Sequence, residues 1–377
     1  SNNLKDYLPV VFSRAQGIEL YNFSSPIYAI DSENIAITGE GKLIGKGEFW
    51  NKWADSDKSR SERKLLLKNS VKGVPTEYRI FDDEEGGIRP SFVNLVNSKN
   101  ILLEDFTIEN GPFWTIHPVY SENIIIRRLN ILTYSGNTDG IAIDSSRNII
   151  IENNFFSTGD DAIAIKSGLD EEGRNIGMSS GNIIIKNSFV KRGNSGVSIG
   201  SEMSGGVRNV YVFDCDFSGT YYGIRIKSLE TRGGVVENIW FSDLKMTGIR
   251  KHAILLSMVY KTKMKSKSIE HPVFRNINFE NISVDGAGDA LGIFGLGGNS
   301  IEEINFENIE ISSKRGVEIS NAEGGIRLSD VKIITKEYPV YKFFKSNNVK
   351  MENVSCEQGL KNCFLYQEEE HLLEESE

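Results

Sequence analysis

Three aspartates, Asp139, Asp160 and Asp161, have the residue type and spacing best suited to chemistry in this chain. They open two of four segments that align without gaps: Thr138-Asp-Gly-Ile-Ala-Ile-Asp-Ser145, Asp160-Asp-Ala-Ile-Ala-Ile-Lys-Ser167, Asn194-Ser-Gly-Val-Ser-Ile-Gly-Ser201 and Tyr221-Tyr-Gly-Ile-Arg-Ile-Lys-Ser228. Stacked as parallel strands about 4.8 Å apart, the segments bring Asp139 against Asp161, with Asp160 beside them, Asn194 over Asp160 and Ser195 over Asp161. One segment further, Arg225 and Lys227 alternate with inward Ile224 and Ile226, so both point outward from one face. Carboxylates this close resist joint ionisation. One protonated and one or two ionised carboxyls supply an acid for a leaving oxygen and a base for water, as hydrolysis of a glycosidic bond requires. Arg225 and Lys227 would bind a carboxylated sugar. Taken singly, Asp-Asp and Asn-Thr-Asp read as turn caps or a calcium site, and Arg-x-Lys as a solvated strand face. Together on one face they point to catalysis. Strict alternation would turn Asp139 and Asp161 inward, so the turn before the strand has to redirect them.

The elements that must position these residues form a repeat. Asn followed by a β-branched residue recurs at Asn34, Asn100, Asn123, Asn148, Asn182, Asn209, Asn238, Asn276 and Asn348, and each copy opens a short alternating segment such as Asn148-Ile-Ile-Ile-Glu-Asn. Period-two alternation over four to six residues is the strand signature. From Asn100 to Asn276 the copies lie 23, 25, 34, 27, 29 and 38 residues apart, too irregular for a leucine-rich repeat, and blade signatures of a propeller are missing. The expected fold is all-β: a single right-handed parallel β-helix over residues 1–377, in which each coil buries its Ile, Val and Phe against the next. Asn suits the corner because it tolerates the left-handed conformation and its amide can bond the same Asn one coil away. Residues 50–90, with the charged stretch Asp55–Lys64, read as a long loop on the side of the solenoid. The acidic tail 368–377 reads as a terminal cap or a disordered end.

Composition narrows the function. A net charge of −9 argues against a nucleic-acid surface, so a polyanionic ligand would have to meet a local basic patch. No run of 18 apolar residues exists to span a membrane. Four histidines without HExxH spacing argue against a catalytic metal. Of Cys215, Cys356 and Cys363, the last two could pair across a short loop, but buried free thiols are the expectation. No secretory leader is read in residues 1–20. Location therefore stays open between secreted or periplasmic, as the substrate class suggests, and cytoplasmic.

Asn137-Thr138-Asp139, Gly159-Asp160-Asp161 and Arg225-Ile226-Lys227, in this order, resemble the signature of glycoside hydrolase family 28, the polygalacturonases and their relatives. Phe113-Trp-Thr-Ile-His-Pro-Val-Tyr120 and Gly200-Ser-Glu-Met-Ser-Gly-Gly-Val207 resemble its bacterial exo-acting branch in particular. The resemblance implies inverting hydrolysis of α-1,4-galacturonide bonds in pectin without a cofactor. Asp160 would be the general acid, Asp139 and Asp161 would activate water, and Arg225 and Lys227 would hold the substrate carboxylate. Tyr260 matches a substrate-contacting tyrosine, and His117 a site wall; Asn194 and Ser195 complete the substrate-binding set. Two positions depart from the family: Ser195 stands where its Gly-His-Gly carries histidine, and Ala142 where many members carry a further aspartate. These departures leave room for a rhamnogalacturonan or substituted-pectin hydrolase, or for a β-helix that binds pectic oligosaccharide without cutting it.

Overall fold

A computed structural model describes residues 3–82, 88–267, 269–346, 348–355 and 363–367. The chain winds as a right-handed parallel β-helix whose coils stack three strand columns. The first column runs through Ile27–Ile30, Val93–Val96, Ile116–Val119, Ile141–Asp144, Ile163–Lys166, Ser195–Gly200 and Tyr222–Lys227, each parallel to the next. The second begins with Glu33–Thr38 and Lys99–Glu104, the third with Lys42–Ile44 and Thr107–Glu109. From Val235 the coils continue as long bent strands, Val235–Ser257, Val273–Phe294 and Ile301–Ser320. Inward Ile, Val and Phe form one core along the axis, and like residues stack: Phe279 lies between Phe241 and Phe306 at centroid distances of 5.2 and 4.7 Å.

The asparagine corner behaves as its chemistry requires. Asn100, Asn123, Asn148, Asn182 and Asn209 have φ between 55 and 61°, in the left-handed region. Each donates its amide to the Asn one coil earlier at 3.0–3.1 Å, so the ladder starts from Asn34. The backbone cost of that conformation is thereby coupled to a continuous row of side-chain bonds.

Two expectations fail. The stretch expected as a loop contains two helices, Gly47–Ala54 and Asp57–Val71. Ser56 caps the second by accepting from the Ser59 amide, and Arg60 pairs with Asp57 at 2.8 Å. A helix this polar shows almost no apolar periodicity; Leu66 alone is fully buried on it. Cys363 is disulfide-bonded, against the expectation of free thiols, whereas Cys215 is free and buried. Cys356 and the acidic tail lie outside the described residues. Among those described, no helix is long and apolar enough to cross a membrane.

An antiparallel hairpin, Val11–Ala15 with Ile18–Asn22, lies over the outward side of the first column. Ser13 donates to Asn94 at 2.7 Å, and Arg14 to Asp144 at 2.8 Å with both side chains fully buried. The hairpin therefore covers the early coils of the face that carries the aspartates.

Candidate active site

The four aligned segments pair in the register expected from sequence, Ile141 with Ile163, Ile163 with Val197 and Val197 with Ile224. The parity problem is resolved one residue earlier. Gly140, Ala162, Gly196 and Gly223 occupy one column, and a side chain on its glycines would meet Phe156, Phe217 or Met246, all in the core. This position and the Ile or Val after it both face inward. Two consecutive inward residues reverse the alternation, and Asp139 and Asp161 turn outward.

Asp139, Asp160 and Asp161 line a single cavity of about 260 Å3, together with Asn137, Asn194, Lys166, Glu202, Lys227 and Tyr260. Phe113, Trp114, Gln16 at the hairpin turn, and Thr262 and Met264 from the following loop complete the wall. Asp161 is the most firmly held carboxylate: Lys227 Nζ donates to it at 3.0 Å and Asn194 Nδ2 at 3.1 Å. Burial pushes its pKa up, but Lys227 and Lys166, with the Ser195 hydroxyl, outweigh burial and hold it at about 2. Asp160 accepts from the backbone amides of Asn137 and Asp161, each at 2.9 Å. Burial and the charge of Asp161 nevertheless raise its pKa. Asp139 is raised well above its ordinary value, by burial first and then by Asp160; its nearest cation is Lys166 at 3.9 Å. Burial first, and the neighbouring aspartate second, raise both Asp139 and Asp160 above the ordinary carboxylate value. Asp139, expected to stay ionised, competes with Asp160 for the proton.

Lys166 was not singled out from sequence. It donates to Glu202 at 3.1 Å and sits 4.8 Å from the centroid of the Trp114 ring. A signal existed: Lys166 has the same offset in its segment as Lys227 in its own, so both project from the same end of the face. Glu202 and Trp114 fall within stretches quoted for the family resemblance, but nothing in their local spacing marks them.

The remaining sequence candidates divide. Asn194, Lys227 and Tyr260 line the cavity. Arg225 lies next to it, 4.2 Å from the Tyr222 centroid and 5.2 Å from that of Tyr260. Neither Arg225 nor Lys227 is on a solvated face, since each is 7% exposed. Ser195 is fully buried beneath the cavity. His117 is also fully buried, behind the wall: its Nδ1 faces Ser91 Oγ at 3.0 Å and its ring meets Trp114 edge-on at 4.8 Å. Burial lowers its pKa. Ala142 is covered by Phe113 and Trp114, so the place of the additional family aspartate is apolar here.

The sequence profile described as glycosyl hydrolases family 28 matches residues 80–331. An endo-polygalacturonase of Pectobacterium carotovorum subsp. carotovorum is 33% identical over 303 residues, covering 78% of this chain and 67% of that protein. A probable polygalacturonase of Vitis vinifera is 29% identical over 306 residues, covering 80% of this chain; the chain spans only 57% of that protein's length. Among solved structures, a hyperthermoactive exopolygalacturonase from Thermotoga maritima superposes with a TM-score of 0.75 at 33% identity, over 93% of this chain and 77% of that one.

Proposed function

This chain belongs to glycosyl hydrolases family 28, and we propose that it hydrolyses α-1,4-galacturonide bonds of pectic chains with inversion, releasing sugar from a chain end. One observation carries the reading: among the described residues, Asp139, Asp160, Asp161 and Glu202 share a cavity with two lysines, and Asp160 is the carboxylate with which neither lysine forms an ion pair. Lys227 is bonded to Asp161, and Lys166 is bonded to Glu202 and stands 3.9 Å from Asp139. Asp160 has only backbone donors among its hydrogen bonds. With the proton on Asp160, its repulsion of Asp139 disappears, and Lys166 then opposes the burial that chiefly raises Asp139. Asp160 then acts as the general acid on the leaving oxygen, while Asp139 and Asp161 draw the proton from water. Tyr260, Arg225 and Lys227 border the ligand on the side of the later coils.

Action at a chain end is supported by the hairpin. Asn94 and His117, on the same outward face respectively two coils and one coil before Asp139, are fully buried beneath it. A bound polymer therefore has no open groove in that direction. The test is incubation with polygalacturonate and with defined oligogalacturonides, following reducing ends and product size. Monogalacturonate as the first and dominant product supports the reading; a ladder of oligomers would assign endo action, and no new reducing ends would remove the hydrolase reading.

A further inference from the structure

Lys166 stands between two carboxylates and is bound closely by only one of them. Its ammonium is 3.1 Å from Glu202 and 3.9 Å from Asp139. Trp114 restrains it from the side, and Trp114 is fixed in turn by stacking on Phe113 at 4.8 Å and by the edge contact with His117. Glu202 belongs to none of the strands that carry the aspartates. It follows Ser201, whose carbonyl accepts from Arg232 at 2.9 Å, and Arg232 is anchored in a fully buried pair with Asp170. The same Arg232 donates to the carbonyl of Met264 at 2.8 Å, in the loop that closes the cavity.

We propose that Glu202 is a positioning residue that, by holding Lys166 away from Asp139, decides how Asp139 and Asp160 share the proton of the site. It rests on the reading of these aspartates as acid and base. The charged groups facing Lys166 are Asp139, Asp161, Lys227 and His117 on the first column and Glu202 from the following turn; Arg232 stands behind Glu202. Glu202 is the anion nearest Lys166 and the one that no step of the hydrolysis uses. Neutralising it frees the ammonium to close on Asp139, which then ionises more readily and leaves the proton to Asp160. Removing Lys166 does the opposite.

The test compares E202Q, E202D and K166M with the parent chain, by 13Cγ-aspartate NMR titration of the unliganded protein and by the pH dependence of kcat/KM on oligogalacturonide. Asp139→Asn assigns the resonance. The expected result is that the Asp139 titration and the acidic limb of the rate profile move down in E202Q and up in K166M, by about one unit or more each, while E202D stays near the parent. The K166M/E202Q double variant, which leaves no unpaired buried glutamate, guards against loss of folding in K166M. Shifts of the same sign in both single variants, or no shift in a folded E202Q, would overturn the proposal. Because the NMR titration needs no substrate, inactivity on galacturonides would count against the proposed reaction and leave the proton-sharing result standing.

Discussion

Replacing Lys227 with methionine keeps most of the side-chain volume and removes the cation nearest Asp161. The parent carboxyl is held at about 2, against an ordinary value of 3.8, even though burial opposes ionisation. That difference corresponds to roughly 2–3 kcal/mol. It understates the loss, since burial is already subtracted from it, and stripping one partner from a buried pair typically costs about 3–5 kcal/mol. The sign follows from the depressed pKa. Asp161 contributes its full stability above the unfolded value, and that contribution drains away as pH falls towards the folded one. Thermal unfolding should therefore separate parent and variant widely near neutral pH, and the gap should close as pH falls from about 4 towards about 2. In the variant only Lys166, the Ser195 hydroxyl and the Asn194 amide oppose burial, so the Asp161 pKa rises. Lys227 also lowers Asp139, so the acidic limb of kcat/KM should move up as well. A melting difference that is constant across pH would refute the assignment of Lys227 as the group that keeps Asp161 ionised.

Three further outcomes follow from the geometry. Asp160→Asn should lower turnover by about 10²–10⁴-fold or more while leaving oligogalacturonide binding nearly intact by calorimetry, and NMR of the nascent parent product should show an inverted anomer; a retained anomer refutes inversion, and undiminished turnover in Asp160→Asn removes this residue from the acid role. Ser195→Ala should change turnover by less than about tenfold, because Lys227 and Lys166 come before the Ser195 hydroxyl among the groups that lower Asp161; a loss as large as that of Asp160→Asn would make Ser195 a main support of the site. Arg14→Met leaves Asp144 buried without its cation and should cost about 3–5 kcal/mol, with chromatography showing longer products as the hairpin loosens; unchanged product size would place the determinant of chain-end action elsewhere.

The solenoid was legible because its coils report themselves one at a time. Each Asn-Ile corner states a left-handed turn and the start of an inward row, and neighbouring coils repeat the statement. The helices at Gly47–Ala54 and Asp57–Val71 were not legible for the converse reason. Asp57–Val71 buries little besides Leu66, and a polar surface helix leaves only caps and ion pairs as its mark, while Gly47–Ala54 is short and seats Trp50 among Leu4, Tyr7 and Phe23, partners distant in the chain. The hairpin is similar: Arg14 and Asp144 lie 130 residues apart, and no local pattern announces such a pair.

The site divides along the same line. Asp139, Asp160, Asp161, Asn194 and Lys227 come together because they repeat at fixed offsets in stacked segments, so alignment of the chain with itself is already a map of the face. Even the outward turn of Asp139 and Asp161 is written there, in the glycines and alanine after them, once the core rings they avoid are known. What the repeat does not encode is which of these charges is answered. Lys227 answers Asp161, Glu202 draws Lys166 from Asp139, and Asp160 is left with backbone amides. Two of those partners come from strands of the repeat and one from a turn outside it. A stack of identical coils would treat its carboxylates alike. On the proposed reading, a non-repeating residue then tunes what the repeat lays down: Glu202, by holding Lys166 closer than Asp139 does, keeps Asp139 in competition with Asp160 for the proton.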